Sequence, residues 1–199
     1  KASLIVALGK GDGTFGSFAT RPVGKGPVSL VVDSTADVVD GNFTALQVKA
    51  AIAGDSRIRL IERTLSRGEM NGLLAVMDAY VSLHRSEGFG YGLAEAMLLA
   101  KPAIGTDYSG SRDFLTEQTG YPIPYDLVPV RFGEYPDHEG QVWADPDSAA
   151  AAKAMASILA DPEKAKAKAL AGQAFIKAHH SLAAVGKLMR ERLDSLGLL

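Results

Sequence analysis

Glu87 and Glu95, two carboxylates with seven residues between them, have the residue type and spacing to grip a hydroxyl-rich ligand. Gly88, Gly90 and Gly92 lie in that interval. Glycine keeps side chains out of the way and lets several backbone N–H groups approach a ligand closely. A helix beginning at such a turn adds its own free N–H groups and the positive end of its dipole, which suits an anion such as a diphosphate. Glu95 falls in the first or second turn of that helix, too close to share the anion's place. It is well set to accept hydrogen bonds from ribose hydroxyls, as acidic residues do in dinucleotide-binding folds. The two acids thus bracket a ligand, with Glu87 at a sugar end and Glu95 at a ribose end.

The elements that must position this turn follow from periodicity. Residues 79–83 form an apolar run expected as a strand, and residues 90–100 form an amphipathic helix stopped by Pro102. Upstream, 44–53 has helical spacing ending at Gly54, and 58–61 is a short strand. Ser66 and Glu69 make a capping-box pattern ahead of Met70, Leu73, Leu74 and Met77 on one helical face. Downstream come a strand at 102–106 and one or two helical turns at 111–115. Strands alternating with helices of this length indicate βαβ units and a parallel sheet. In such sheets ligands bind at the carboxyl ends of strands, where Glu87 falls. Residues 121–142, rich in proline, are expected to be irregular. Three helices are expected after them, at 147–159, 162–179 with proline in its first turn, and 181–196. This helical tail is expected to pack across the sheet.

At this point the chain resembles the family-4 (group 1) retaining glycosyltransferases. Glu87 and Glu95 with Gly88-Phe89-Gly90 between them match that family's E-x7-E motif. The segment Ala96-Met97 through Lys101-Pro102-Ala103-Ile104-Gly105-Thr106 is similar to the family sequence that follows it. Ser109-Gly110-Ser111-Arg112-Asp113 is similar to its GG-x-x-E turn, with Asp113 where glutamate is commoner. The resemblance runs from about residue 44 to the C-terminus. It implies a Rossmann-like α/β parallel sheet of the GT-B C-terminal domain type, with a short β-rich N-terminal segment and a helical C-terminal tail. It also implies a nucleotide-diphospho-sugar donor and a glycan or small-molecule acceptor. Glu87, carried over as the catalytic position, contacts the donor sugar. The amides of Gly88, Phe89 and Gly90 lie along the sugar and diphosphate, Glu95 holds the ribose, and Ile61 borders the base. The two acids are donor ligands, not the acid–nucleophile pair of glycoside hydrolysis. No metal and no other cofactor is implied.

Several nearby residues carry two readings. Arg85 either pairs with a donor phosphate or points to solvent. Phe89 either packs to shape the loop or offers a stacking platform. His84, Lys101 and the His179-His180 pair are read as structural. The acceptor-binding N-terminal domain of the family has no counterpart in the chain, and neither does the Gly-Arg…Lys-Gly segment that opens its donor domain. Residues 2–33 instead resemble one FG-GAP/VCBS-type repeat, with Asp33, Asp37 and Asp40 at best a degraded calcium loop. The expected division is a β-rich segment at 1–42 and a donor-binding domain at 43–199. The competing reading is a non-catalytic binding or adhesion module that contains a degenerate transferase domain.

Composition narrows the partners. With 199 residues, 47% hydrophobic and 22% charged, the chain can build one proper core. A net charge of −2 leaves no electrostatic footprint for nucleic acid. The absence of cysteine removes disulfides and thiolate metal sites. No apolar run approaches the ~20 residues that span a bilayer. The expectation is a cytoplasmic protein, with room for peripheral membrane contact.

Overall fold

The computed structural model of the chain describes residues 4–8, 28–32, 61 and 65–199. Its main sheet has five strands in the order β2-β1-β3-β4-β5. These are β1 (Leu4–Leu8), β2 (Val28–Val32), β3 (Tyr80–Ser82), β4 (Ala103–Thr106) and β5 (Tyr121–Ile123). Every pairing is parallel, from Leu4↔Val28 at one side to Thr106↔Ile123 at the other. The chain adds β2 on one side of β1 and then crosses to add β3 on the other. The order therefore reverses between β1 and β3, and an open sheet binds ligands outside the carboxyl ends of the strands at such a reversal.

The helices are α1 (Arg67–Val76), α2 (Tyr91–Leu98), α3 (Ser148–Ala160), α4 (Pro162–His179) and α5 (Leu182–Ser195), with a 3-10 turn at Ser109–Asp113. Side chains alternate across the central strands. Tyr80 and Ala103 face a core with Leu74, Leu93, Met97, Phe114 and Ile176, contributed by α1, α2 and α4. Val81 and Ile104 face the opposite core with Ile123, Ala151, Ile158 and Ala165, contributed by β5, α3 and α4. Helices thus cover both faces, as a parallel sheet requires, and β3 and β4 are buried along their whole length.

Local signals set the helix starts. Ser66 accepts from the Glu69 amide while Glu69 accepts from the Ser66 amide, the capping box expected from the sequence. Asp147 accepts from the amides of Ala149 and Ala150, and Asp161 accepts from that of Lys164 ahead of Pro162.

Three expectations are corrected. Residues 121–142 are not irregular: they hold β5 and most of an antiparallel ribbon, β6 (Tyr125–Pro129) paired with β7 (Val142–Pro146). Prolines masked it, yet Pro122 lies on the last strand of the sheet and Pro129 ends β6, where a missing N–H is tolerated. The last helix, α5, buries no residue, so the tail packs on the sheet only through α3 and α4. Finally, β1 and β2 are parallel neighbours within the main sheet, whereas a propeller blade needs an antiparallel meander. The helix and strand expected at 44–60, the boundary near residue 42 and the aspartates at 33, 37 and 40 lie outside the described residues.

Candidate functional site

Strand β3 ends at Ser82, and the chain loops through 83–90 before α2 begins at Tyr91. Gly90 is the N-cap, with φ 92° and ψ 50°, a left-handed conformation that an L side chain adopts only with strain. With no capping side chain, the first turn of α2 keeps its N–H groups available. Among the described residues, the amides of Gly88, Phe89 and Gly90 donate to no protein acceptor. The turn is therefore a rim of free donors at the carboxyl edge of the sheet.

The turn is held by the segment after β4. The Glu87 amide donates to Ser109 Oγ at 2.8 Å, and that hydroxyl donates back to the Glu87 carbonyl at 2.8 Å. The Gly110 amide donates to the same carbonyl at 3.2 Å. At Gly110 a Cβ would come within 1.9 Å of the Gly88 carbonyl oxygen, so only glycine permits this approach. With its backbone clamped, Glu87 keeps a half-buried carboxylate that enters no ion pair among the described residues.

Glu95 lies on α2, where its carboxylate is 2.5 Å from the guanidinium of Arg67, the first residue of α1. Tyr80, at the start of β3, is buried. Its phenol is pushed well above its usual range, first by burial and then by the negative charges of Glu87 and Glu95.

His84 braces the loop from below. It is buried, with Nε2 at 3.1 Å from the Tyr108 carbonyl and 3.2 Å from Ser111 Oγ. A carbonyl only accepts, so Nε2 carries the proton and Nδ1 is left to accept from Ser82 Oγ at 3.4 Å. Burial holds the imidazole below its ordinary pKa, against the opposing pull of the Tyr108 carbonyl and Glu87. The histidine is therefore the neutral link between the end of β3 and the 3-10 turn.

The remaining expected site residues divide. The Phe89 ring packs at 5.2 Å from both Phe114 and Tyr91 and 5.5 Å from His180, which is the packing reading of that residue. Arg85 is largely buried rather than turned to solvent. Its guanidinium donates to Asp145 at 2.8 Å and lies 4.8 Å over the Trp143 ring. Ile61 packs against the core, and residues 58–60 and 62–64 around it lie outside the described residues. Lys101 caps the end of α1 through the Ala75 carbonyl at 2.8 Å. His179 bonds the Phe175 carbonyl at 2.9 Å, as a helix-end residue does.

Sequence reasoning missed Arg67, Ser109 and the β6–β7 ribbon as parts of the site. Arg67 immediately follows the Ser66 cap, so its place at a helix start was readable, but its pairing with a residue 28 positions on was not. Among the described residues no cluster of His, Asp or Glu has the grouping of a metal site, and no helix is long and apolar enough to cross a membrane.

Solved structures that share this fold include glycosyltransferases. The glycosyltransferase of Rickettsia africae ESF-5 superposes with a TM-score of 0.67 at 16% identity, over 98% of this chain and 48% of that one. Anabaena HepE in complex with UDP and glucose gives 0.64 at 15%, over 96% and 48%. Sucrose-phosphate synthase from Thermosynechococcus elongatus gives 0.62 at 20%, over 85% and 38%. The chain spans less than half the length of each of these proteins. Their likeness is one of fold, the parallel sheet of the GT-B glycosyltransferases. No curated protein matches the chain by sequence. Residues 38–161, which include the turn, both glutamates and the ribbon, match the family described as Glycosyl transferases group 1, and the chain belongs to that family.

Proposed function

We propose that the chain is the donor-binding half of a retaining glycosyltransferase. It binds a nucleotide-diphospho-sugar along the turn between β3 and α2, and the glycosyl group passes to an acceptor presented by a second domain. The observation that carries this reading is the pair of carboxylates, Glu87 and Glu95, around a rim of unpaired amides at the start of a helix. The amides and the helix dipole neutralise the diphosphate, so no metal is needed there. Glu87 meets hydroxyls of the donor sugar, which makes it the residue closest to the reacting carbon. Glu95 accepts from the ribose, with Arg67 holding its carboxylate in place. The complex of Anabaena HepE with UDP and glucose supports a nucleotide and a sugar as ligands of this fold. The protein would work in the cytoplasm, where nucleotide sugars are made.

Calorimetric titration of the chain with UDP- and GDP-sugars tests the reading. Saturable binding is the expected result. No binding by the chain, alone or combined with an acceptor domain, would overturn it.

A further inference from the structure

The β6–β7 ribbon is fastened to the donor turn at Arg85. A two-stranded ribbon is marginal by itself and needs an anchor. Its base is closed by the Asp147 amide donating to the Pro124 carbonyl at 2.8 Å. Toward the tip the ladder continues, with the Val130 amide donating to the Gln141 carbonyl at 3.0 Å. Between these, along the edge of β7 turned away from β6, the Ala144 amide donates to the Arg85 carbonyl at 2.9 Å.

The side chain of the same residue makes the second half of the joint. Residues i and i+2 of a strand share a face, so Trp143 and Asp145 lie on one side of β7 with Ala144 between them. The Arg85 guanidinium spans both: it donates to Asp145 at 2.8 Å and lies 4.8 Å over the Trp143 ring. The side chain of Arg85 is 13% exposed, and its Nε is buried without a hydrogen-bond partner. A side chain free to turn to solvent would avoid that cost, so the ribbon holds the guanidinium where it is. Arg85 lies two residues before Glu87. The turn is thus tied at two places, to the ribbon through Arg85 and to the 3-10 turn through Ser109 and Gly110. A pocket of about 630 Å³ separates the ribbon from residues 86–88, so the same joint sets how far these two walls stand apart.

We infer that Arg85 is a positioning residue: it couples the β6–β7 ribbon to residues 86–88 and so sets the place of Glu87. It acts through Glu87 and not by pairing with a phosphate. The inference rests on the donor-binding reading for what Glu87 does there, but the coupling itself is open to test without ligand. A merely structural anchor would stabilise the ribbon and leave the turn as it is.

Two variants of the full chain probe the joint from its two ends. Asp145→Asn, at a half-exposed position, removes the charge and keeps the shape. Arg85→Met keeps an apolar stem beside Trp143 and removes the guanidinium. Amide hydrogen exchange, resolved by residue, is the first readout. Ala144 donates across the joint, Glu87 and Gly110 donate across the clamp, and the amides of β4 report global opening. In both variants, exchange at Ala144, Glu87 and Gly110 should rise about tenfold relative to β4, and the double variant should add little to Arg85→Met. Exchange that rises at Ala144 alone, in step with β4, or not at all overturns the coupling. Calorimetry is the second readout. Because Glu87 meets the donor sugar in the proposed scheme, UDP-sugar affinity should fall about fivefold in both variants, while that of UDP stays within about twofold. Equal losses, or none, overturn the role of Arg85 in placing Glu87. A native chain that binds neither ligand overturns the donor-binding reading instead, and the exchange result still decides the coupling.

Discussion

Glu95 has a partner in Arg67 whose side chain is 72% exposed, and an ion pair that open to solvent contributes only ~0–1 kcal/mol to stability. The pair is therefore a poor reason for Glu95 to be placed where it is, and the proposed ribose contact is the better one. Replacing Glu95 with alanine should leave the thermal midpoint nearly unchanged yet weaken nucleotide binding by ~1–3 kcal/mol, the scale of a charge-assisted hydrogen bond lost from a partly buried site. Calorimetry on the variant checks this, and an unaltered dissociation constant would contradict the assignment. His84 makes a prediction of the opposite kind, on stability. Its folded pKa lies below the unfolded value of ~6.5, so the unfolded chain takes up the proton first on acidification. Stability is then full above about pH 6.5 and falls as pH drops below it, by at most ~1.4 kcal/mol per pH unit for one proton. Urea unfolding between pH 7.5 and 5 should show this slope in the native chain and a shallower one in His84→Gln. Equal slopes would mean that the histidine is not the buried neutral link described.

The donor turn is held from outside itself, by the segment after β4, and that dependence is testable at Gly110. A methyl group there would meet the Gly88 carbonyl oxygen at 1.9 Å, and backbone cannot yield as a flexible side chain can. Gly110→Ala should therefore push the Glu87 turn away, break the Gly110–Glu87 hydrogen bond and cost ~1–3 kcal/mol of stability, in the range of overpacking. Donor affinity should fall with it, while Ser109→Ala should reduce affinity without the steric loss. Chemical denaturation and calorimetry on both variants separate the two effects, and wild-type affinity in Gly110→Ala would show that the clamp does not shape the site.

Much of this element was legible in the chain: the strand, the glycine-rich turn and the helix start follow from local pattern, as does the Ser66–Glu69 box. The clamp was not, because Ser109 and Gly110 meet Glu87 across more than twenty residues and no local rule relates them. The ribbon was hidden for a different reason. Its prolines read as interruptions, and only the pairing of Tyr125 with Pro146 through to Pro129 with Val142 shows that they sit where the ladder can spare a donor. Arg85 was open between two partners in sequence and took a third, Asp145, sixty residues away.

At the scale of the whole molecule, the question is what the proposed donor-binding half can do alone. Transfer requires the acceptor hydroxyl to meet the anomeric carbon in a fixed orientation, and such orientation supplies ~7–11 kcal/mol of barrier reduction in favourable cases. In the proposed scheme the second body of the cleft provides it. The chain spans 48% of Anabaena HepE, and its final helix, α5, leaves Leu182 at 95%, Leu188 at 60% and Met189 at 63% exposure. The described residues thus offer an edge for the donor but no opposing wall beyond the β6–β7 ribbon. The expected behaviour is binding without turnover: a nucleotide sugar that saturates the site by calorimetry, released nucleotide no faster than slow hydrolysis, and no glycosylated product when saccharide acceptors are added. Mass spectrometry of the acceptors and a coupled assay for free nucleoside diphosphate measure both. An acceptor domain supplied in trans should raise product formation while leaving donor affinity unchanged, because the proposed donor contacts all lie within this chain. Glycosylated acceptor formed by the chain alone would mean that the ribbon and the turn already enclose the reacting pair, and that the second wall serves another purpose.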